Sequence, residues 1–170
     1  MSLKKNCAEH QWFGSPWNSP QKPFAAAEGV DGRIANPDGP RELIMIVDDD
    51  ALVAQLAERV LTDAGYRVII ACDGFTALDI YKTLKAQVQL VITDFSMPVM
   101  DGFAVFSRLR MINPQAPVIL SSGFVKQEKL KDMLAKGLRG FIQKPHTRQK
   151  LLLQVRSTLD AMRSESPEPL

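Results

Sequence analysis

The chain has 170 residues, 45% of them hydrophobic and 24% charged, which fits one soluble domain with flanking segments and needs no metal or disulfide staples for its core. A formal net charge of +2, from scattered basic residues, gives no footprint for direct nucleic-acid binding. No apolar run reaches the length of a membrane span or signal-peptide core, and the two cysteines, Cys7 and Cys72, lack metal-ligand spacing, so a reduced, cytoplasmic setting is the simplest expectation.

Residues 1–42 read as a linker or extension. Their first forty hold five of the eleven prolines and four of the ten glycines, with neither helical nor alternating period. Trp12, Phe13, Trp17 and Phe24 stand out there, since a purely solvated linker has little use for them. The domain itself is expected over 43–163, with a polar tail over 164–170.

Leu43 to Val47 reads as a strand that ends in three acids, Asp48, Asp49 and Asp50. Leu52, Leu56, Val60 and Ala64, with Val53, Ala57 and Leu61 beside them, predict the apolar face of a helix closed by Gly65. Tyr66 to Ala71 is a second strand, and Asp73-Gly74 turns into a helix with Ala77, Leu78, Tyr81 and Leu84 on its face. Val88 to Thr93 is a third strand, apolar on both sides, which delivers Asp94. Phe103, Phe106 and Leu109 mark a third helix that ends by Asn113-Pro114. Val118 to Leu120 forms a fourth strand running into Ser121-Ser122-Gly123. The helix after it, about Gln127 to Lys136, shows only Leu130, Met133 and Leu134 and is expected to be loosely held. A short strand at Phe141-Ile142 precedes Lys144-Pro145, and a last helix from about Thr147 carries Leu151, Leu152, Val155, Leu159 and Met162.

Five strands alternating with five helices predict an α/β domain, a flavodoxin-like doubly wound (βα)5 sandwich whose parallel sheet runs in the order 2-1-3-4-5. In such sheets ligands bind outside the carboxyl ends of the strands. That edge should gather Asp48 and Asp49, Asp94, Ser122 and Lys144 from four different strands. Carboxylates so crowded repel by roughly 4 kcal/mol per close pair at an effective dielectric near 20, which calls for a cation. An all-oxygen set suits Mg²⁺ rather than zinc. With Lys144 and Ser122 facing the oxygens of a transferring phosphoryl group, a carboxylate can serve as nucleophile and become an aspartyl phosphate. Each residue also has an ordinary reading: a capping acid, a strand-end hydroxyl, a surface lysine. Their joint placement is what those readings explain poorly.

Five stretches, IVDDD, ACDGFTAL, TDFSMPVMDG, PVILSSG and FIQKP, occur in an order and spacing that resembles the receiver domains of bacterial two-component response regulators, of the chemotaxis type. The resemblance runs from Leu43 to about Met162. It implies that Asp94 accepts a phosphoryl group from a phosphohistidine on a histidine kinase or histidine phosphotransfer protein. It implies Mg²⁺ held by Asp49, Asp94 and the backbone carbonyl of Ser96, with Asp48 acting through bound water. Ser122 and Lys144 would contact the phosphoryl oxygens, Gly123 would keep access open, and Phe141 would be the switch aromatic. The output would be a repacked surface of the fourth helix, fifth strand and fifth helix, offered to a downstream protein; a homodimer is compatible with this.

Phe124 is a bulky departure that would shield the acyl phosphate from water, and Gln89 replaces a common acid before the third strand. The lead-in and the lack of an output domain favour the receiver of a hybrid sensor kinase, whose parent could be membrane-bound, over a stand-alone regulator. Two rivals stand beside this. Asp48-x-Asp50 imitates the nucleophile motif of haloacid-dehalogenase-type phosphatases, although only Asp160 follows Lys144 before the tail. A pseudo-receiver with a vestigial site is the other.

Overall fold

The computed structural model describes residues 42–165. Residues 1–41 of the expected linker, with its four aromatics and Cys7, lie outside the described residues, as do 166–170 of the tail, whereas Glu42, expected as the linker's last residue, is buried in the domain. Cys72 is not a free thiol, contrary to the expectation of two reduced cysteines.

Ten elements alternate strictly: β1 (Leu43–Val47), α1 (Ala51–Asp63), β2 (Arg67–Ala71), α2 (Gly74–Leu84), β3 (Val88–Asp94), α3 (Gly102–Ile112), β4 (Val118–Ser122), α4 (Gln127–Ala135), β5 (Gly140–Gln143) and α5 (Arg148–Glu165). All strands pair in parallel, in the order β2-β1-β3-β4-β5. The central strands β1 and β4 are buried throughout, which is why they read as unbroken apolar runs without alternation. α5 runs to Glu165, beyond the expected end near Met162, and carries its last turn into the polar stretch.

The sheet divides two cores. Met45, Val47, Val91, Val118 and Leu120 face α2, α3 and α4 through Tyr81, Phe106, Leu109 and Met133. Ile44, Ile46, Ile92, Ile119 and Ile142 face α1 and α5 through Ala54, Leu61, Leu151 and Val155. α1 is rotated from expectation. Ala54 and Leu61 are buried, whereas Leu52 and Leu56 are 77% and 67% exposed. The sequence offers apolar residues around more than half of this helix, and packing on the sheet buries the side that carries Ala54 and Leu61. In α4 only Met133 is buried and Leu134 is exposed, in line with a loosely held helix.

Candidate phosphoacceptor site

Three acids of the quoted motifs serve first as helix caps. Asp50 accepts from the amides of Leu52 and Val53, Asp73 from that of Thr76, and Asp101 from that of Ala104, so each loop is pinned where its helix begins. The acids Asp48, Asp49 and Asp94 are left over for chemistry.

Parallel register lines up the strand ends. Val47 pairs with Thr93, Asp94 with Ser121, and Ser122 with Gln143. Side chains alternate across a strand, so Asp48, two past Ile46, Asp94, two past Ile92, and Lys144, two past Ile142, come up on the α1/α5 side together. The result is direct contact. Lys144 Nζ donates to Asp48 Oδ2 and to Asp94 Oδ1, both at 2.7 Å. Both acid side chains are under 10% exposed, and the lysine is 23% exposed. Their remaining oxygens accept backbone amides, Asp48 Oδ1 from Asp50 at 2.9 Å and Asp94 Oδ2 from Ser96 at 2.8 Å. Burial works most strongly against the Lys144 charge, but the hydrogen bonds to Asp48 and Asp94 together outweigh it and raise its pKa above the ordinary lysine value. The ammonium is thus locked in its charged form.

Ser122 does not join this contact. It lies two past Leu120, on the α2–α4 side, and is fully buried. Its hydroxyl donates to the Phe124 carbonyl at 2.9 Å and accepts the Phe124 amide at 3.2 Å. Phe141, half-buried against that core, shares that side of the sheet. Phe124 is 76% exposed and covers nothing here. Gly123 borders open space, since a Cβ there would meet no atom within 4 Å. Asp49 and Ser96 are exposed. Asp49 also lines a cavity of about 350 Å³ with Cys72, Phe75, Met97, Val99 and Met100.

Among the described residues no three His, Cys, Asp or Glu side chains form a cluster spaced to hold a metal ion. The donors at the sheet edge are nonetheless all oxygen, from Asp48, Asp49, Asp94 and the Ser96 carbonyl, which is the set a hard divalent cation takes. The donor chemistry suits Mg²⁺, while Lys144 bridges two of the carboxylates and Asp49 stands exposed beside them.

Two features escaped sequence reasoning. A Cβ on Gly102 would run into the carbonyl oxygen of Asp94 and stand 2.9 Å from Phe95 Cα, so this glycine lets α3 start against the acceptor backbone. Its place in Met-Asp-Gly hinted only at a turn. Burial, helped by the Lys144 ammonium, lowers the His146 pKa and keeps that imidazole neutral beside the site, with the Asp48 carboxylate opposing. The sequence places His146 off any strand end and gives no signal for it.

A doubly wound parallel α/β domain that carries a buried aspartate–lysine–aspartate contact at the carboxyl edge of its sheet is the class this structure defines. Residues 44–156 match the family model described as response regulator receiver domain, and the chain belongs to that family. It is a two-component receiver domain. It is 33% identical over 124 residues to the chemotaxis protein CheY of Treponema pallidum, covering 72% of this chain and 86% of that protein. It is 30% identical over 138 residues to the sensor kinase CckA of Brucella abortus, 81% of this chain but 14% of that protein. Among solved structures it resembles CheY in the CheX-CheY-BeF3-Mg complex from Borrelia burgdorferi, at 35% identity and a TM-score of 0.69 over 74% of this chain and 95% of that one. The receiver domain of the hybrid histidine kinase CckA gives 31% identity and a TM-score of 0.59 over 69% and 98%. The family match leaves the dehalogenase-type reading without support. No helix among the described residues is long and apolar enough to cross a membrane.

Proposed function

We propose that Asp94 is the phosphoacceptor of this receiver, taking its phosphoryl group from a phosphohistidine of a histidine kinase or histidine phosphotransfer protein. The observation that carries this reading is the Lys144 bridge, which orients the Asp94 carboxylate and ties it to Asp48 at the strand ends. A carboxylate oxygen of Asp94 attacks phosphorus, a P–O bond forms, the P–N bond breaks, and the electron pair leaves with the imidazole. Lys144 holds the nucleophile before attack and stays beside the oxygens that gain charge. Asp49, Asp94 and the Ser96 carbonyl, with Asp48 through water, would hold Mg²⁺, which would supply further positive charge to these oxygens.

Ser122 then has a definite task. To reach the phosphoryl group its hydroxyl must let go of Phe124, and the loop that follows β4 rearranges as it does so. Phe141, on the same side of the sheet, is placed to move into the space released, changing the surface of α4, β5 and α5 that a downstream protein reads. The exposed Phe124 shields the acyl phosphate only after that rearrangement. A homodimer is compatible with this reading.

Incubation with acetyl phosphate and Mg²⁺, followed by intact-mass analysis, should show one phosphoryl group on the wild type and none on Asp94→Asn. An unmodified wild type leaves the pseudo-receiver reading. The similarity to the CckA receiver supports a hybrid-kinase parent, and the coverage of CheY supports a stand-alone regulator. The length of the natural polypeptide separates the two.

A further inference from the structure

α4 has few ties to the rest of the domain. Met133 is its one buried residue, and Lys126 at its N-cap makes no side-chain capping bond. One side chain compensates. Lys129, on the first turns of α4, places Nζ 4.6 Å from the ring centroid of Phe95 and 5.0 Å from that of Phe103. The same nitrogen lies 3.7 Å from Asp101 Oδ2, at the cap of α3. Lys136, at the other end of α4, adds a second cation 5.6 Å from the Phe103 centroid. A cation over the negative face of an aromatic ring is attracted to it, and the attraction grows as water is excluded.

Phe95 is the residue after Asp94, and its backbone has little freedom. Its amide donates to the Ser121 carbonyl at 2.9 Å, and its own carbonyl accepts from Gly102 at 3.0 Å. A movement of the Asp94–Phe95 backbone therefore moves the ring, and the ring carries the cation. We propose that Lys129 is a positioning residue that clasps α4 to the acceptor segment through Phe95, Phe103 and Asp101, tying α4 to the backbone at Asp94 by a route that passes through neither Ser122 nor Phe141. Its signalling sense rests on Asp94 being the phosphoacceptor. The clasp itself does not.

Backbone amide exchange of the full chain, read by NMR without any phosphodonor, tests the clasp. In Lys129→Met, which keeps the aliphatic stem and loses the charge, α4 amides should exchange about fivefold faster than wild type while those of β1 and β3 are unchanged. Lys129→Arg should return α4 to within about twofold of wild type, because a guanidinium also sits over aromatic rings. Phe103→Leu should move α4 in the same direction as Lys129→Met. Unchanged α4 exchange in Lys129→Met, or failure of arginine to restore it, overturns the proposal, since a lysine that acts only by its stem survives the methionine exchange. In a second arm, Mg²⁺ and beryllofluoride should shift α4 amide resonances in wild type and leave those of Lys129→Met nearer their unliganded positions. A wild type that ignores beryllofluoride refutes the acceptor reading alone, and the exchange result still judges the clasp.

Discussion

Replacing Lys144 with methionine removes the one cation seated between Asp48 and Asp94 while keeping a stem of similar shape. The two carboxylate oxygens, each 2.7 Å from the same nitrogen, can lie at most about 5 Å apart. At an effective dielectric near 20 their repulsion is then about 3 kcal/mol, on top of the lost ion pairs. Both acids are nearly buried, so water screens little of this, although residual solvent access at the lysine trims the loss. Lys144→Met should therefore lower stability by about 2 to 4 kcal/mol, or about 1 to 2 M in urea midpoint. Mg²⁺ should recover more of that loss in the variant than it adds to wild type, because no ammonium competes for the carboxylates.

The pH dependence has a fixed sign. The folded pKa of Lys144 lies above its ordinary value of 10.5, so the stability it contributes is complete below that value and fades as pH rises through the higher folded pKa. The gap between wild type and variant should be flat through neutral pH and close only in strong alkali. Urea titrations with and without Mg²⁺, at neutral and alkaline pH, measure all of this. Equal midpoints at neutral pH, or Mg²⁺ raising both proteins alike, would refute the electrostatic account.

Gly102→Ala should cost about 2 kcal/mol and slow phosphoryl uptake, because its Cβ meets the backbone of Asp94 and Phe95, which no rotamer change relieves; chemical denaturation and the uptake rate check the two halves. Val99→Asn should stabilise by about 1 kcal/mol in thermal melts, since a β-branched residue stands at φ +67 with 95% of its surface exposed and no packing to lose. Glu42→Ala should cost about 2 kcal/mol, on the order of 8 °C in melting temperature, because the buried carboxylate holds Arg156 at 3.2 Å and Arg163 at 2.6 Å and so fastens α5 beside the start of β1. Asp160 keeps its own bond to Arg156, which limits that loss.

The sequence by itself determined the order of elements and the candidates for chemistry. Short unbroken apolar runs such as Leu43 to Val47, set between turn signals, read as strands buried on both faces, and Gly65, Asp73 and Asp101 mark helix ends through conformational and capping preferences that act locally. The acids and the lysine were legible because each follows a strand, and a doubly wound sheet sends every strand end to one edge. Tertiary structure decided what depends on rotation and on the pleat. Which stripe of α1 is buried is set by its packing on the sheet, where Ala54 and Leu61 turn inward and Leu52 and Leu56 outward. Strand parity put Asp48, Asp94 and Lys144 on one side and Ser122 on the other, where it bonds to its own loop. Lys129 over Phe95 and Glu42 beneath α5 join residues distant along the chain through side chains that no local pattern marks, so only the packed domain brings them together.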